Sequence, residues 1–241
     1  MKLKAITCDA LARPVYWCAA QSPHIVDVEL LRFGLHSEPD QLRALLQTRI
    51  EAAADGYDAI VLAYGLCGKA TAGLSAAGIP LVIPRAHDCI TLFLGSRARY
   101  AEQFENKPGT YWYVQDYIER GEGSATTLSI GAGMENDIQG TYEAYVQKYG
   151  EDNAAYLMEV MGAWQQHYQR AAFIDMGVGD GAAVAAKAQA EAARRGWAFE
   201  RLAGDLTLIR RLLWGEWEDD FLVVQPGQTI AMSYDEGVMC S

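Results

Sequence analysis

The sequence predicts an α/β protein built on a parallel, Rossmann-like sheet, and three observations carry that prediction. Short apolar runs end in glycine or proline turns: LKAIT at 3–7, AIVLAYG at 59–65, LVIP at 81–84, AAFIDMG at 171–177 and FLVV at 221–224. Between them lie stretches with helical apolar spacing. The strand–helix–strand order then recurs in the second half of the chain, without a residue-level repeat. Continuous apolar runs separated by helices are what a sheet buried on both faces requires. Two α/β lobes and one doubly wound sheet both satisfy the pattern.

Lys2–Thr7 reads as the first strand, with Cys8 at its exit. Ala10–Ala20 reads as a short helix or loop, because Arg13-Pro14 disfavours a regular helix there; Cys18 within it is expected to pack as a small buried apolar residue. HIVDVELLRFGL at 24–35 is the second strand. A helix follows, capped by Ser37, with Pro39 in its first turn and Asp40 in capping-box position. Leu42, Leu45, Leu46, Ile50 and Ala53 form its sheet-facing stripe, and Asp55-Gly56 ends it. AIVLAYG closes a right-handed crossover. Gly78-Ile79-Pro80 leads into LVIP, and residues 90–105 read as one helix.

Beyond the turn at Lys107–Thr110, TYWYV is an aromatic strand. Residues 118–140 are rich in glycine and polar side chains. The expected division is an N-terminal α/β lobe over 1–120, a loop over 121–140 and a C-terminal lobe over 141–241. Residues 141–171 are expected to be helical, with Tyr156, Leu157, Val160, Met161, Trp164 and Tyr168 forming a core stripe. AAFIDMG, a helix over about 181–195 and WAFERLAG then make a second crossover unit. MGVGDG at 176–181 reads as a tight turn, lacking the full dinucleotide fingerprint. Asp205 can cap a helix through LTLIRRLLWG, and FLVVQPG is the last clear strand. The tail, with Tyr234, Asp235, Glu236 and Cys240, reads as a lid or a frayed end.

The chain has 241 residues, 51% hydrophobic and 21% charged, enough to bury a substantial core. Its 31 acidic and 20 basic residues give a net charge of -11, which repels phosphate backbones and anionic lipid. Neither a nucleic-acid partner nor a membrane partner is expected. Asp9, Arg13 and Pro14 interrupt the apolar run that a signal peptide needs, so a cytoplasmic location is expected. Five cysteines in that compartment point to metal binding, catalysis or packing rather than a disulfide framework.

Parallel strands deliver their carboxyl ends to one edge, where Cys8, Cys67 and Cys89 each follow a strand. Three thiolates suit zinc or an iron–sulfur cluster, and Cys8, Cys67 and Cys89 are the expected metal ligands. The bland alternative is three buried cysteines near strand ends. His87 and Asp88 are candidate catalytic residues, His87 for ligation or proton transfer and Asp88 for orienting it or capping the next helix. That helix is expected to favour thiolate at Cys89 through its first N–H groups. Arg85 and Arg97 are candidates for binding a small-molecule substrate's carboxylate or phosphate. Gly65 and Gly68 let backbone approach a ligand closely.

YGLCGKATAGL (64–74), PLVIPRAHDCITLFLGSRARY (80–100) and PGTYWYV (108–114) resemble a bacterial and archaeal family catalogued as domain of unknown function 1638. The similarity extends over most of the chain, beginning with the strand that carries Cys8. The resemblance implies an α/β fold and an association with corrinoid proteins and the methyltransferases that demethylate methylamines or related compounds. The expected function is therefore a zinc- or iron–sulfur-binding protein in corrinoid-linked methyl transfer and one-carbon metabolism, as an enzyme or enzyme component. Two alternatives stay open: a non-catalytic accessory protein docking on a corrinoid protein or methyltransferase, and metal-free acid–base chemistry by a cysteine pair.

Overall fold

The computed structural model describes residues 1–120, 146, 150–151, 168–233 and 237–241. The chain forms two compact units that interleave along the sequence. The first comprises Met1–Glu102, Met176–Gly179 and Ala203–Ser241, and the second Gln103–Asp175 and Asp180–Leu202. The expected boundary loop at 121–140, the stripe from Tyr156 to Trp164 and the tail residues Tyr234–Glu236 lie outside the described residues.

The first unit is an α/β structure on a mostly parallel sheet. Its strands are β1 (Lys2–Cys8), β2 (Ile25–Leu31), β3 (Ala59–Ala63), β4 (Leu81–Pro84) and β8 (Phe221–Val224), in the order β2-β1-β3-β4-β8. The first four are parallel, and β8 runs antiparallel to β4. All five residues of β3 are buried, as a central strand covered on both faces demands. Helix α2 (Pro39–Ala52) places Leu42, Leu46 and Ile50 against Ile6, Ile60 and Leu62. Each such side chain contributes about 1.5–3 kcal/mol by leaving water. The alternate strand residues Val61 and Ala63 face the other side, where α1 (Ala12–Ala20) packs on α7 (Thr207–Trp214) and α7 contacts β3 and β4.

Three local expectations need correction. Ala12–Ala20 is a regular helix, because Pro14 falls in its first turn, where an N–H has no helical acceptor anyway. Helix α2 is preceded by Glu38 rather than capped by Ser37, with no side-chain hydrogen bond at the cap; Pro39 does start it. Residues 90–105 are two helices, α3 (Cys89–Leu94) and α4 (Arg97–Asn106), broken at Gly95. Gly95 is left-handed (φ +76°), and a Cβ there would lie 2.5 Å from the Asp205 Cβ.

The second unit carries β5 (Thr110–Val114), β6 (Arg170–Asp175) and β7 (Ala198–Ala203) in that order, with β5 and β6 parallel. Short α5 (Gln115–Arg120) follows β5 directly. Helix α6 (Ala182–Arg195) buries Val184, Ala188 and Ala192 in a core with Tyr111, Tyr113 and Phe173. Arg170 is buried there, with its guanidinium bonded to Thr110, Glu200 and Gln103. The expected turn at 176–181 is left-handed at Gly177 and Gly179. A C-terminal hairpin of β9 (Ala231–Met232) and β10 (Met239–Cys240) completes the described chain.

Candidate functional site

Strands β1, β3 and β4 end on the same edge, and the winding of the sheet reverses between β1 and β3. In open α/β sheets the crevice outside such a reversal is where ligands bind. Cys8 is the last residue of β1. The pairing of Thr7 with Ala63 puts the next residues, Cys8 and Tyr64, side by side at that edge. Cys67 follows in the turn after β3, and Cys89 opens α3 after β4.

Two loops dock on each other here. Leu66 N–H donates to the Ala86 carbonyl (2.9 Å) and Cys67 N–H to that of His87 (3.1 Å). The fully buried Thr71 donates its hydroxyl to the Gly65 carbonyl at 3.1 Å. Cys67, Gly68 and Lys69 are left-handed in succession, with φ of +46°, +67° and +77°. That conformation costs a side-chain-bearing residue roughly 1–2 kcal/mol, so surrounding structure must hold it. Arg43 on α2 supplies one such hold, donating from Nη2 to the Lys69 carbonyl at 2.8 Å.

Cys8, Cys67 and Cys89 are all half-buried, and Cys8 and Cys67 pack against the α2-side core. Burial pushes the Cys67 thiol up to about 12, with Asp88 adding to the rise and a Gly65 backbone hydrogen bond opposing it. Cys89 is pushed well above the ordinary thiol range by burial first, then by Asp88, Cys67 and Cys8. The expectation that α3 would favour thiolate at Cys89 is therefore reversed. The helix has only six residues, and desolvation outweighs its end.

Asp88 caps α3, accepting from Ile90 N–H at 3.0 Å, and its second oxygen accepts from the Tyr100 hydroxyl at 2.9 Å. Burial still raises its carboxyl above the usual range, against the lowering effect of those bonds. His87 is exposed on the same loop, its ring centroid 6.4 Å from that of Tyr100. Arg85 directs its guanidinium to the carbonyls of Phe221, Gly237 and Met239, bracing the C-terminal hairpin. Arg97 pairs with Asp220 at 3.5 Å. Gly65 is pressed against the 86–88 backbone, and Gly68 forms the middle of the left-handed turn.

The structure thus brings Cys8, Cys67, Cys89, Gly65, Gly68, His87 and Asp88 to one edge. Tyr64, Tyr100, Thr71 and Arg43 belong to the same assembly without having been singled out. Only Tyr64 carried a sequence signal, as the first residue past an apolar strand. The thiols have the donor chemistry for zinc or an iron–sulfur cluster. Among the described residues, no group of three or more His, Cys, Asp or Glu side chains is arranged so as to hold a metal ion.

Comparison with curated proteins and with solved structures gives no match. A family model does match, over residues 30–213. That stretch starts within β2, so it includes Cys67 and Cys89 and leaves Cys8 outside, where the sequence resemblance had been expected to begin at Cys8's own strand. Over that span the chain belongs to the family described as protein of unknown function (DUF1638).

Proposed function

We propose that Cys8, Cys67 and Cys89 bind a thiophilic centre, a zinc ion or an iron–sulfur cluster, and that the protein acts in corrinoid-linked methyl transfer in the cytoplasm as an enzyme or enzyme component. The observation that carries this reading is the convergence of three thiols from three β–α junctions on the reversal point of a mostly parallel sheet. The Rossmann-like description of that sheet supports a ligand crevice at the same place. The methyl-transfer part rests on the family resemblance alone. When bound, zinc supplies Lewis acidity, and a cluster supplies electrons or an open iron. The chain's own contribution is to present three sulfurs and to keep His87 and Asp88 beside them for proton handling. Gly68 keeps the turn backbone open to a small substrate, and Arg97, paired with Asp220, flanks the site as a candidate anion contact.

Binding requires thiolates, and Cys67 and Cys89 hold their protons tightly. Affinity should therefore climb with pH, and loading should release protons. The test is zinc titration and anaerobic iron–sulfur reconstitution of the purified protein, with metal content and absorption spectra as readouts. Cys8→Ser, Cys67→Ser and Cys89→Ser should each lose the centre, whereas Cys18→Ser and Cys240→Ser should keep it. Less than about a third of an equivalent of metal on fully reduced protein rejects the metal reading. A complex with a corrinoid protein that survives Cys67→Ser and Cys89→Ser would move the assignment to an accessory role.

A further inference from the structure

We propose that the hairpin of β9 and β10 is a strap with Arg85 as its catch, opening as a unit while the sheet stays folded and so setting access to the Cys67 turn. This rests on the thiol-site reading for its purpose, but its test needs no metal. The strap is tied to both loops that carry the site. At one end the Gly73 N–H donates to the Ile230 carbonyl (2.8 Å) and the Ile230 N–H to that of Leu74 (2.8 Å). The Ser75 and Thr229 hydroxyls lie 2.8 Å apart beside them. These contacts hold the segment that follows Cys67. At the other end stands Arg85, which opens the loop leading to Cys89. Its Nη1 donates to the Gly237 carbonyl (3.1 Å) and to that of Met239, and its Nε to that of Phe221 (3.3 Å). Between the two ends, Val238 and Met239 are 3% and 0% exposed and join the core against which Cys8 and Cys67 pack.

The closed strap is strained. Val238 has φ +65°, and the Met239 N–H folds back across it to the Gly237 carbonyl at 2.7 Å. Such a three-residue turn is rare, and a β-branched residue resists it most. Among the described residues, the side-chain-bearing positions with left-handed φ are Cys67, Lys69 and Val238, so this strain is gathered in the thiol turn and its strap. Backbone strain of this kind collects in segments that switch. The strands of the hairpin pair over only two residues each, which gives little stability by itself. What holds the turn is burial and Arg85, which grips the carbonyls on both sides of Val238. Loss of that grip releases the hairpin before the sheet.

The test is peptide-resolved hydrogen–deuterium exchange of the metal-free protein, with iodoacetamide labelling of Cys67 at fixed pH. In the unaltered protein, residues 228–233 and 237–241 should exchange about a hundredfold faster than 59–63 in β3. Arg85→Gln should speed strap exchange about tenfold and leave β3 unchanged. Val238→Gly and Val238→Ala both remove the isopropyl group, but only glycine accepts φ +65° without strain. The glycine variant should therefore exchange about threefold more slowly in the strap than the alanine variant. Cys67 labelling should follow the same order, faster in Arg85→Gln than in the parent and faster in Val238→Ala than in Val238→Gly. Strap and β3 exchanging alike, or rising together in Arg85→Gln, would mean that the hairpin opens only with the whole unit, which overturns the proposal. So does an alanine variant as protected as the glycine one. Strap exchange in the expected order with Cys67 labelling at one rate throughout overturns the control of access. A protein that binds no zinc, yet orders strap exchange and labelling as expected, rejects the metal reading and supports the strap.

Discussion

Gly65 and Asp88 touch backbone to backbone: a Cβ on Gly65 would lie 2.7 Å from the Asp88 nitrogen and 2.8 Å from its Cα. Neither atom belongs to a flexible side chain that can swing away. Gly65→Ala must therefore push the 64–68 turn off the 85–89 loop. It should destabilise the protein by about 1–3 kcal/mol, as overpacking does, and it should expose Cys67 and Cys89. Urea denaturation with thiol labelling checks both, and an alanine variant as stable as the parent would show that the two loops are not locked together.

The left-handed turn beside it gives a paired prediction of opposite signs. Lys69 is exposed with φ +77°, so its side chain bears the strain without packing to offset it. Lys69→Gly should stabilise by about 0.5–1 kcal/mol, net of the greater unfolded-state freedom of glycine. Gly68→Ala, at φ +67° where a Cβ would make only ordinary contact with Pro39 Cγ (3.8 Å) and the His36 carbonyl (3.9 Å), should cost about 1 kcal/mol. Thermal unfolding of the two variants reads the difference, and shifts of the same sign would contradict the assigned conformations.

Some of this site was legible because the information is local. An apolar run marks a strand, parallel strands share an exit edge, and Cys8, Cys67 and Cys89 each follow such a run. The rest depends on partners far along the chain. Gly95 breaks a helix because Asp205 occupies the space a side chain would need. Arg85 resembles a substrate contact until Phe221, Gly237 and Met239 are seen to take its N–H groups. FLVV has the same apolar pattern whichever way it runs, so its antiparallel pairing with β4 could not be read from composition. Cys89 holds its proton although it opens a helix, because burial outweighs the end of six residues.

Asp88 gives the site a pH signature. Its folded-state carboxyl lies above its ordinary value of 3.8, with burial the largest cause. A raised carboxyl favours folding in its protonated form: the contribution is fully present below the unfolded value and is lost as pH rises through the folded one. Asp88→Asn keeps a capping oxygen and never ionises. The stability of the variant relative to the parent should therefore increase from about pH 4 to about pH 7. Tyr100→Phe removes a donor that lowers this pKa, so in that variant Asp88 should titrate at still higher pH. Denaturation midpoints across pH decide the matter, and a difference that falls as pH rises would mean that hydrogen bonding, not burial, governs Asp88.

Burial raises the Cys18 and Cys67 thiols alike. Cys18 is 3% exposed and raised to about 11, whereas half-buried Cys67 is raised to about 12. Burial is the largest cause at both; Arg210 then pulls Cys18 down, and at Cys67 a Gly65 backbone hydrogen bond opposes a smaller push from Asp88. In metal-free protein at neutral pH, iodoacetamide should therefore label exposed Cys240 first, with Cys18, Cys67 and Cys89 lagging well behind. Asp88→Asn removes the charge that raises Cys67 and Cys89, so it should speed both while leaving Cys18 unchanged. If Cys67 labels as fast as Cys240 in the parent protein, its sulfur is already a thiolate, and zinc binding would then vary little with pH instead of climbing steeply.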